Sequence, residues 1–129
     1  GVSGYEATRV YVRRIVLEGI ALHGSFHSLP DPAWEISDDR SSLVVFEGEI
    51  QVGYTPQNTG EPRRIIPQEL EGTISVEYEF ESPTGNRLQQ EETDLPVKRT
   101  LEAGRRHTFT LAVSPAGVEV IPENPSMLD

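Results

Sequence analysis

"RRIIPQELEGTISVEYEF", residues 63–80, holds the pattern that decides the fold. In its second half Ile74, Val76, Tyr78 and Phe80 alternate with Ser75, Glu77 and Glu79. Successive side chains of an extended chain point to opposite faces, so this alternation predicts a half-buried β-strand. The first half, Ile65-Ile66-Pro67-Gln68, is apolar and broken by a proline that ends one run before the next begins. Residues 67–72 are the chain's best candidate for a single helical turn.

Similar alternation recurs on both sides of this stretch. Val44, Phe46, Ile50, Val52 and Tyr54 fall on one face, with Glu47, Glu49 and Gln51 on the other. Upstream, Val10, Val12, Val16, Ile20 and Leu22 share one face of an extended run, interrupted by Arg14 and Glu18. Tyr11, Ile15 and Leu17 lie opposite, and Gly19 or Gly24 marks a bend between two strands. Downstream, His107, Phe109, Leu111 and Val113 alternate with Thr108, Thr110 and Ala112, and residues 114–117 turn the chain into a return strand.

Between these strands lie punctuating segments. Residues 28–42 read as a Pro-, Asp- and Ser-rich loop, with Trp34 folding back as a lid on the core. Residues 55–62 are a turn cluster. Residues 82–86 form a turn that leads into a polar connection over 87–94. No segment carries a helical stripe. About seven short strands with turn signals between them predict an all-β, antiparallel β-sandwich, transthyretin-like or immunoglobulin-like. Residues 1–9 are a flexible lead-in, 10–122 the sandwich domain, and 123–129 a loose tail.

The 129 residues fit one domain, large enough to bury about two-thirds of the surface its unfolded chain exposes. Such a chain needs no disulfide or structural metal, and it has no cysteine. Thiolate zinc sites, redox motifs and thiol nucleophiles are thereby excluded. Its 11 glycines and 10 prolines suit a turn-rich β protein. A formal charge of −10 opposes nucleic acid and anionic lipid, which need clustered Lys and Arg. No apolar run approaches the ~18 residues of a membrane helix, so the chain is expected not to insert directly into a membrane. Gly1 in place of Met is expected to mark a processed or engineered start.

Candidate chemistry is thin. His23 and His27 are four positions apart, which in a straight strand is roughly 13 Å, too far to share an ion without a bend. His107 sits on an otherwise apolar strand face. Glu77, Glu79 and Glu81 follow the exposed rhythm of a strand, and nothing pairs two of them across a cleft as glycoside hydrolysis needs. Asp38 and Asp39 lack the ligand spacing of a calcium loop. The serines have no G-x-S-x-G elbow, and no Gly-rich phosphate cradle is present. The pairs Arg13-Arg14, Arg63-Arg64 and Arg105-Arg106 are expected to balance the acidic surface. No catalytic, cofactor-binding, metal-ligating or binding residue is assigned, no cofactor is expected, and the chain is expected not to be an enzyme.

The order of these features resembles the C-terminal domain of the fimbrillin (major and minor fimbrial subunit) families of Bacteroidetes. "VRRIVLEGIALHGSF" (12–26) looks like the family's opening strand pair, and Trp34 follows where those proteins often place one. "RRIIPQELEGTISVEYEF" is similar to the family's I-P-Q segment leading into an alternating strand. "TLEAGRRHTFTLAV" (100–113) followed by "GVEV" (117–120) looks like its closing hairpin, with His107 in place of a tyrosine. The resemblance runs from about Val10 to Ile121.

What it implies is a non-catalytic cell-surface adhesion or fimbria (pilus) subunit. Such a protein is exported to the cell surface, outer membrane or fimbrium, often as a lipoprotein. Its partners would be other fimbrial subunits or host or bacterial surface proteins, gripped by β-strand addition at a groove or open edge. The family usually carries two such domains, and the chain has room for one. A different class of reading is a carbohydrate-binding accessory domain of a glycan-uptake system. Trp34, Tyr54, Tyr5 and Tyr11 are the aromatic platform residues it would use.

Overall fold

The computed structural model describes residues 9–53, 57, 63–123 and 126–127. Among them there is no helix, and every strand pairing is antiparallel. The strands are β1 (Arg9–Ile20), β2 (Gly24–His27), β3 (Ala33–Ile36), β4 (Ser41–Val52), β5 (Gln68–Glu81), β6 (Arg87–Leu101), β7 (Arg105–Arg106), β8 (Phe109–Ser114), β9 (Gly117–Pro122) and β10 (Ser126–Met127). One four-stranded sheet runs in the order β4-β1-β5-β6, and the ribbons β2-β3, β8-β9 and β7-β10 accompany it. This antiparallel all-β arrangement is compatible with a β-sandwich.

The alternating stretch Ile74–Phe80 lies within β5, beside the central strand β1. Val12 pairs with Tyr78, Arg14 with Glu77 and Ile15 with Val76, so Arg13 is an extra residue in a β-bulge. The bulge shifts the phase of β1 by one. Val10, Val12, Ile15 and Leu17 therefore stand beside Phe80, Tyr78, Val76 and Ile74, while Tyr11, Arg14 and Val16 stand beside Glu79, Glu77 and Ser75. A single alternating face through Val10, Val12, Val16 and Ile20 is corrected accordingly.

The core joins Val12, Ile15, Ile20, Leu70, Ile74, Val76, Tyr78 and Val97. Phe109, Leu111 and Val113 of β8 and Val118 and Val120 of β9 pack against it from the hairpin. Val76 is fully enclosed. Burying a side chain of this kind contributes about 1.5–3 kcal/mol. Burial is centred on β1 and β5; in β4 no residue is fully buried, and in β6 only Val97 is.

Four local expectations are corrected. Residues 67–72 make no helical turn: β5 begins at Gln68, whose side chain stitches it to the end of β1. The polar connection over 87–94 is strand, paired through the whole of β6 with β5. Within the loop expected over 28–42, Ala33–Ile36 pairs with Gly24–His27, and Trp34 stands half-exposed on that ribbon instead of lidding the core. In the tail, Ser126–Met127 pairs with Arg105–Arg106.

Candidate binding edge

Among the described residues no further strand pairs with the two outer strands of the four-stranded sheet, β4 and β6, and each exposes backbone groups that another chain can pair with. β6 is guarded. Pro96 offers no N–H, Lys98 and Arg99 add charge, and Thr93-Asp94 bulge out opposite Ser75 with Asp94 at φ 58°. Such devices discourage strand pairing.

The first half of β4 has neither the proline nor the charges. Ser41 to Phe46, "SSLVVF", has no charge, no proline and no glycine. Leu43 pairs with Leu17 and Phe46 with Ile15, so both side chains join the core face yet remain half-exposed there. Val45 is an extra residue at a second bulge, between the pairs Ile15–Phe46 and Val16–Val44. An open recess follows this segment, lined by Leu43, Val44, Val45, Phe46, Glu47 and Arg63. The exposed Arg63 reaches across from the segment before β5, and its Nη2 donates to the Val44 carbonyl at 3.1 Å.

The opposite face of the sheet is a lattice of charge. The Arg87 Nη1 meets Glu49 at 2.8 Å and Glu79 at 3.0 Å, and its Nε meets Glu81 at 2.9 Å. Arg13 meets Glu49 at 2.8 Å, Arg14 lies 3.5 Å from Glu77 and 3.8 Å from Glu47, and Arg9 lies 3.4 Å from Glu81. The bulge in β1 is what brings two consecutive arginines to these acids. The Arg87 hydrogen bond, with help from Arg13, holds the Glu49 carboxyl below its ordinary value, and the same contacts raise the Arg87 guanidinium. Arg87 also covers the ring of Tyr11, with its guanidinium carbon 4.3 Å from the centroid. Tyr11 is consequently buried and cannot serve as an exposed platform.

Trp34 lies across the ribbon from Phe26, with ring centroids 5.5 Å apart and planes tilted by 51°. Phe26 is 55% and Trp34 41% exposed, so the pair forms an aromatic notch away from the core. Tyr5 and Tyr54 lie outside the described residues.

The histidines do not converge. The His27 Nε2 sits 2.9 Å from a Glu35 oxygen, while His23 contributes its backbone carbonyl to the Ser37 N–H. His107 lies just before β8 and accepts the Glu102 N–H on Nε2 at 2.9 Å, which places its ring proton on the buried, unpartnered Nδ1. Among the described residues no three His, Cys, Asp or Glu side chains gather closely enough to hold a metal ion, Asp38 and Asp39 included. Of the arginine pairs, Arg13-Arg14 does balance acids. For Arg63-Arg64 and Arg105-Arg106 no acidic partner lies within ion-pair distance among the described residues.

The β4 edge is the feature that strand periodicity alone does not reveal. Its signal in the sequence is the contrast between an uncharged run at 41–46 and a charged, proline-bearing run at 87–101. No protein-family model, curated protein or solved structure matches the chain.

Proposed function

We propose that the protein is a non-catalytic adhesion or fimbria-subunit-like module of the cell surface that grips a partner polypeptide by β-strand addition at β4. The observation that carries this reading is the uncharged, proline-free run Ser41–Phe46, whose core-facing Leu43 and Phe46 stay half-exposed beside an open recess. Its occupant is an extended, alternating apolar segment of a second protein, another subunit or a surface protein. Backbone bonds to the edge supply affinity, and the half-filled positions beside Leu43 and Phe46 supply register. The acids of the charged face support the non-catalytic part of this reading, because Glu47, Glu49, Glu77, Glu79 and Glu81 each have an arginine within ion-pair distance. The features that resemble fimbrillins, together with export to the cell surface or fimbrium, belong to the same proposal.

The test is calorimetric. A synthetic segment with alternating valines, offered to the intact protein, should form a tight one-to-one complex. Placing a lysine at an exposed position of the edge, as in Ser42→Lys, should abolish that complex while leaving the thermal transition near its original position. A lack of complex formation removes the proposal. Occupation of the edge by the chain's own residues 54–62 would show as binding that appears only when that segment is deleted.

A second reading rests on the Phe26–Trp34 notch. Tilted, exposed rings suit the apolar face of a pyranose, which makes a carbohydrate-binding accessory module of a glycan-uptake system the rival. A glycan array decides it: binding that Trp34→Ala abolishes supports the rival, and an array without signal discards it.

A further inference from the structure

We propose that Arg63 is the selectivity residue of the β4 edge, admitting incoming strands that carry a carboxylate and rejecting those that carry a cation at the same position. The inference rests on the strand-addition reading and adds to it the charge of the partner.

Two observations carry it. The first is that the Val44 carbonyl is already taken. An edge carbonyl normally waits for water or for the N–H of an added strand, but here the guanidinium of Arg63 donates to it. A strand that pairs along Ser41–Phe46 brings its own N–H groups to this wall and competes with Arg63 for the Val44 carbonyl. The second is the charge layout of the recess. Arg63 supplies the positive charge near Val44, and Glu47 supplies a negative charge three residues further along the same wall. Glu47 is itself answered from the far side by Arg14, at 3.8 Å. The displaced guanidinium stays tethered within reach of the new strand. A carboxylate on that strand near Val44 recovers the lost hydrogen bond as a stronger, charge-assisted one. A lysine there meets the guanidinium as a like charge. The same carboxylate moved toward Glu47 meets a like charge instead, so the two ends of the recess also fix which way a singly charged strand lies.

Until a partner arrives, the same contact guards the edge. A cation laid over an unpaired strand discourages indiscriminate pairing, and the protein's net charge of −10 further opposes pairing of its own copies.

The experiment uses the intact protein and synthetic strands of about nine residues, which span roughly 30 Å. They alternate valine and threonine and carry one Glu, Gln or Lys scanned through the central positions. Each is titrated against the wild type, Arg63→Gln and Arg63→Glu. In the wild type the best Glu strand should bind roughly three- to tenfold more tightly than the best Lys strand, the range of a solvent-exposed attraction set against a repulsion. Arg63→Gln should erase the preference and Arg63→Glu should invert it. Raising the salt from about 0.05 M to about 0.5 M should shrink the wild-type preference, because exposed charges are screened. Binding with one and the same order of preference in all three proteins overturns the role of Arg63 and leaves strand addition standing. Absence of binding by every strand to every protein removes both. Arg63 is exposed, so unchanged thermal transitions in both variants serve as the folding control.

Discussion

The side-chain amide of Gln68 pairs with both backbone groups of Ala21: Oε1 accepts the Ala21 N–H at 3.0 Å and Nε2 donates to the Ala21 carbonyl at 2.8 Å. Nε2 also donates to the Ile66 carbonyl at 3.1 Å. A side chain thus continues the β1–β5 ladder where the two backbones separate, and Pro67 ends the preceding run just before it. Ala21 is fully buried and Gln68 nearly so.

Gln68→Leu keeps the shape and removes the partners, stranding a buried N–H and a buried carbonyl. Urea denaturation should show a loss of about 2–4 kcal/mol. Gln68→Glu keeps the acceptor but turns a carboxylate toward the carbonyls of Ala21 and Ile66. It should be destabilised at neutral pH and recover part of the loss under mild acid, where a protonated carboxyl can donate again. Full stability of Gln68→Leu would contradict the pairing.

Gly72 approaches the opposite strand so closely that a Cβ there would lie 2.0 Å from the Glu18 carbonyl oxygen, and Gly19, at φ +88°, sits beside it. The clash is with backbone and has no flexible side chain to yield. Gly72→Ala should therefore cost on the order of 4 kcal/mol or prevent folding, the scale of the severest single substitutions. Gly85→Ala makes the comparison, since beyond its chain neighbours no atom lies within 4 Å of a Cβ there and only its left-handed φ of +88° resists. It should be the milder change in the same denaturation experiment.

The charged face predicts an acid-side weakness. Glu49 titrates below its ordinary value of 4.5 in the folded state because Arg87, and then Arg13, favour its ionised form. A carboxyl depressed in this way contributes stability above pH 4.5, and the contribution is lost as pH falls through the lower folded value. The denaturation midpoint should decline on that side. Arg87→Gln should flatten the decline, and high salt should narrow the gap between the two proteins. An unchanged acid limb in the variant would show that Arg87 is not the source.

Trp34 is the chain's single tryptophan and lies on the β2–β3 ribbon. Its emission should already resemble that of a water-exposed indole in the native state and shift little on unfolding. Trp34→Ala should leave the denaturation midpoint within about 0.5 kcal/mol of the wild type, as surface changes do. A strongly blue native emission would place the ring in the interior and contradict the ribbon geometry.

Much of this architecture can be read from the chain. The alternation at Ile74–Phe80 is a strand because one of its faces is buried, and the turn at 114–117 closes a hairpin because its flanks alternate. Legibility fails where burial no longer writes the pattern. β6 lies on an edge with both faces largely wet, so residues 87–94 show no period of two and look like a connection. Arg13 is invisible as a bulge because nothing in its own identity marks the phase shift it causes. Residues 67–72 imitate a helical turn because Gln68 is spent on a long-range hydrogen bond that no local window contains. The β4 edge is legible only by comparing two distant segments, since the pairing order β4-β1-β5-β6 decides which strands are edges.

β1 is flanked on both sides along nearly its whole length, by β4 and by β5. A tug applied at the N-terminal end of this strand, along its axis, strains two ladders in shear, so their bonds resist together instead of parting one after another as in an unzipping hairpin. Single-molecule extension from that end should give a high rupture force, and pulling apart the β8–β9 hairpin a low one. Whatever load reaches that end is carried by two ladders at once, and a twice-clasped strand gives the molecule a stiff handle.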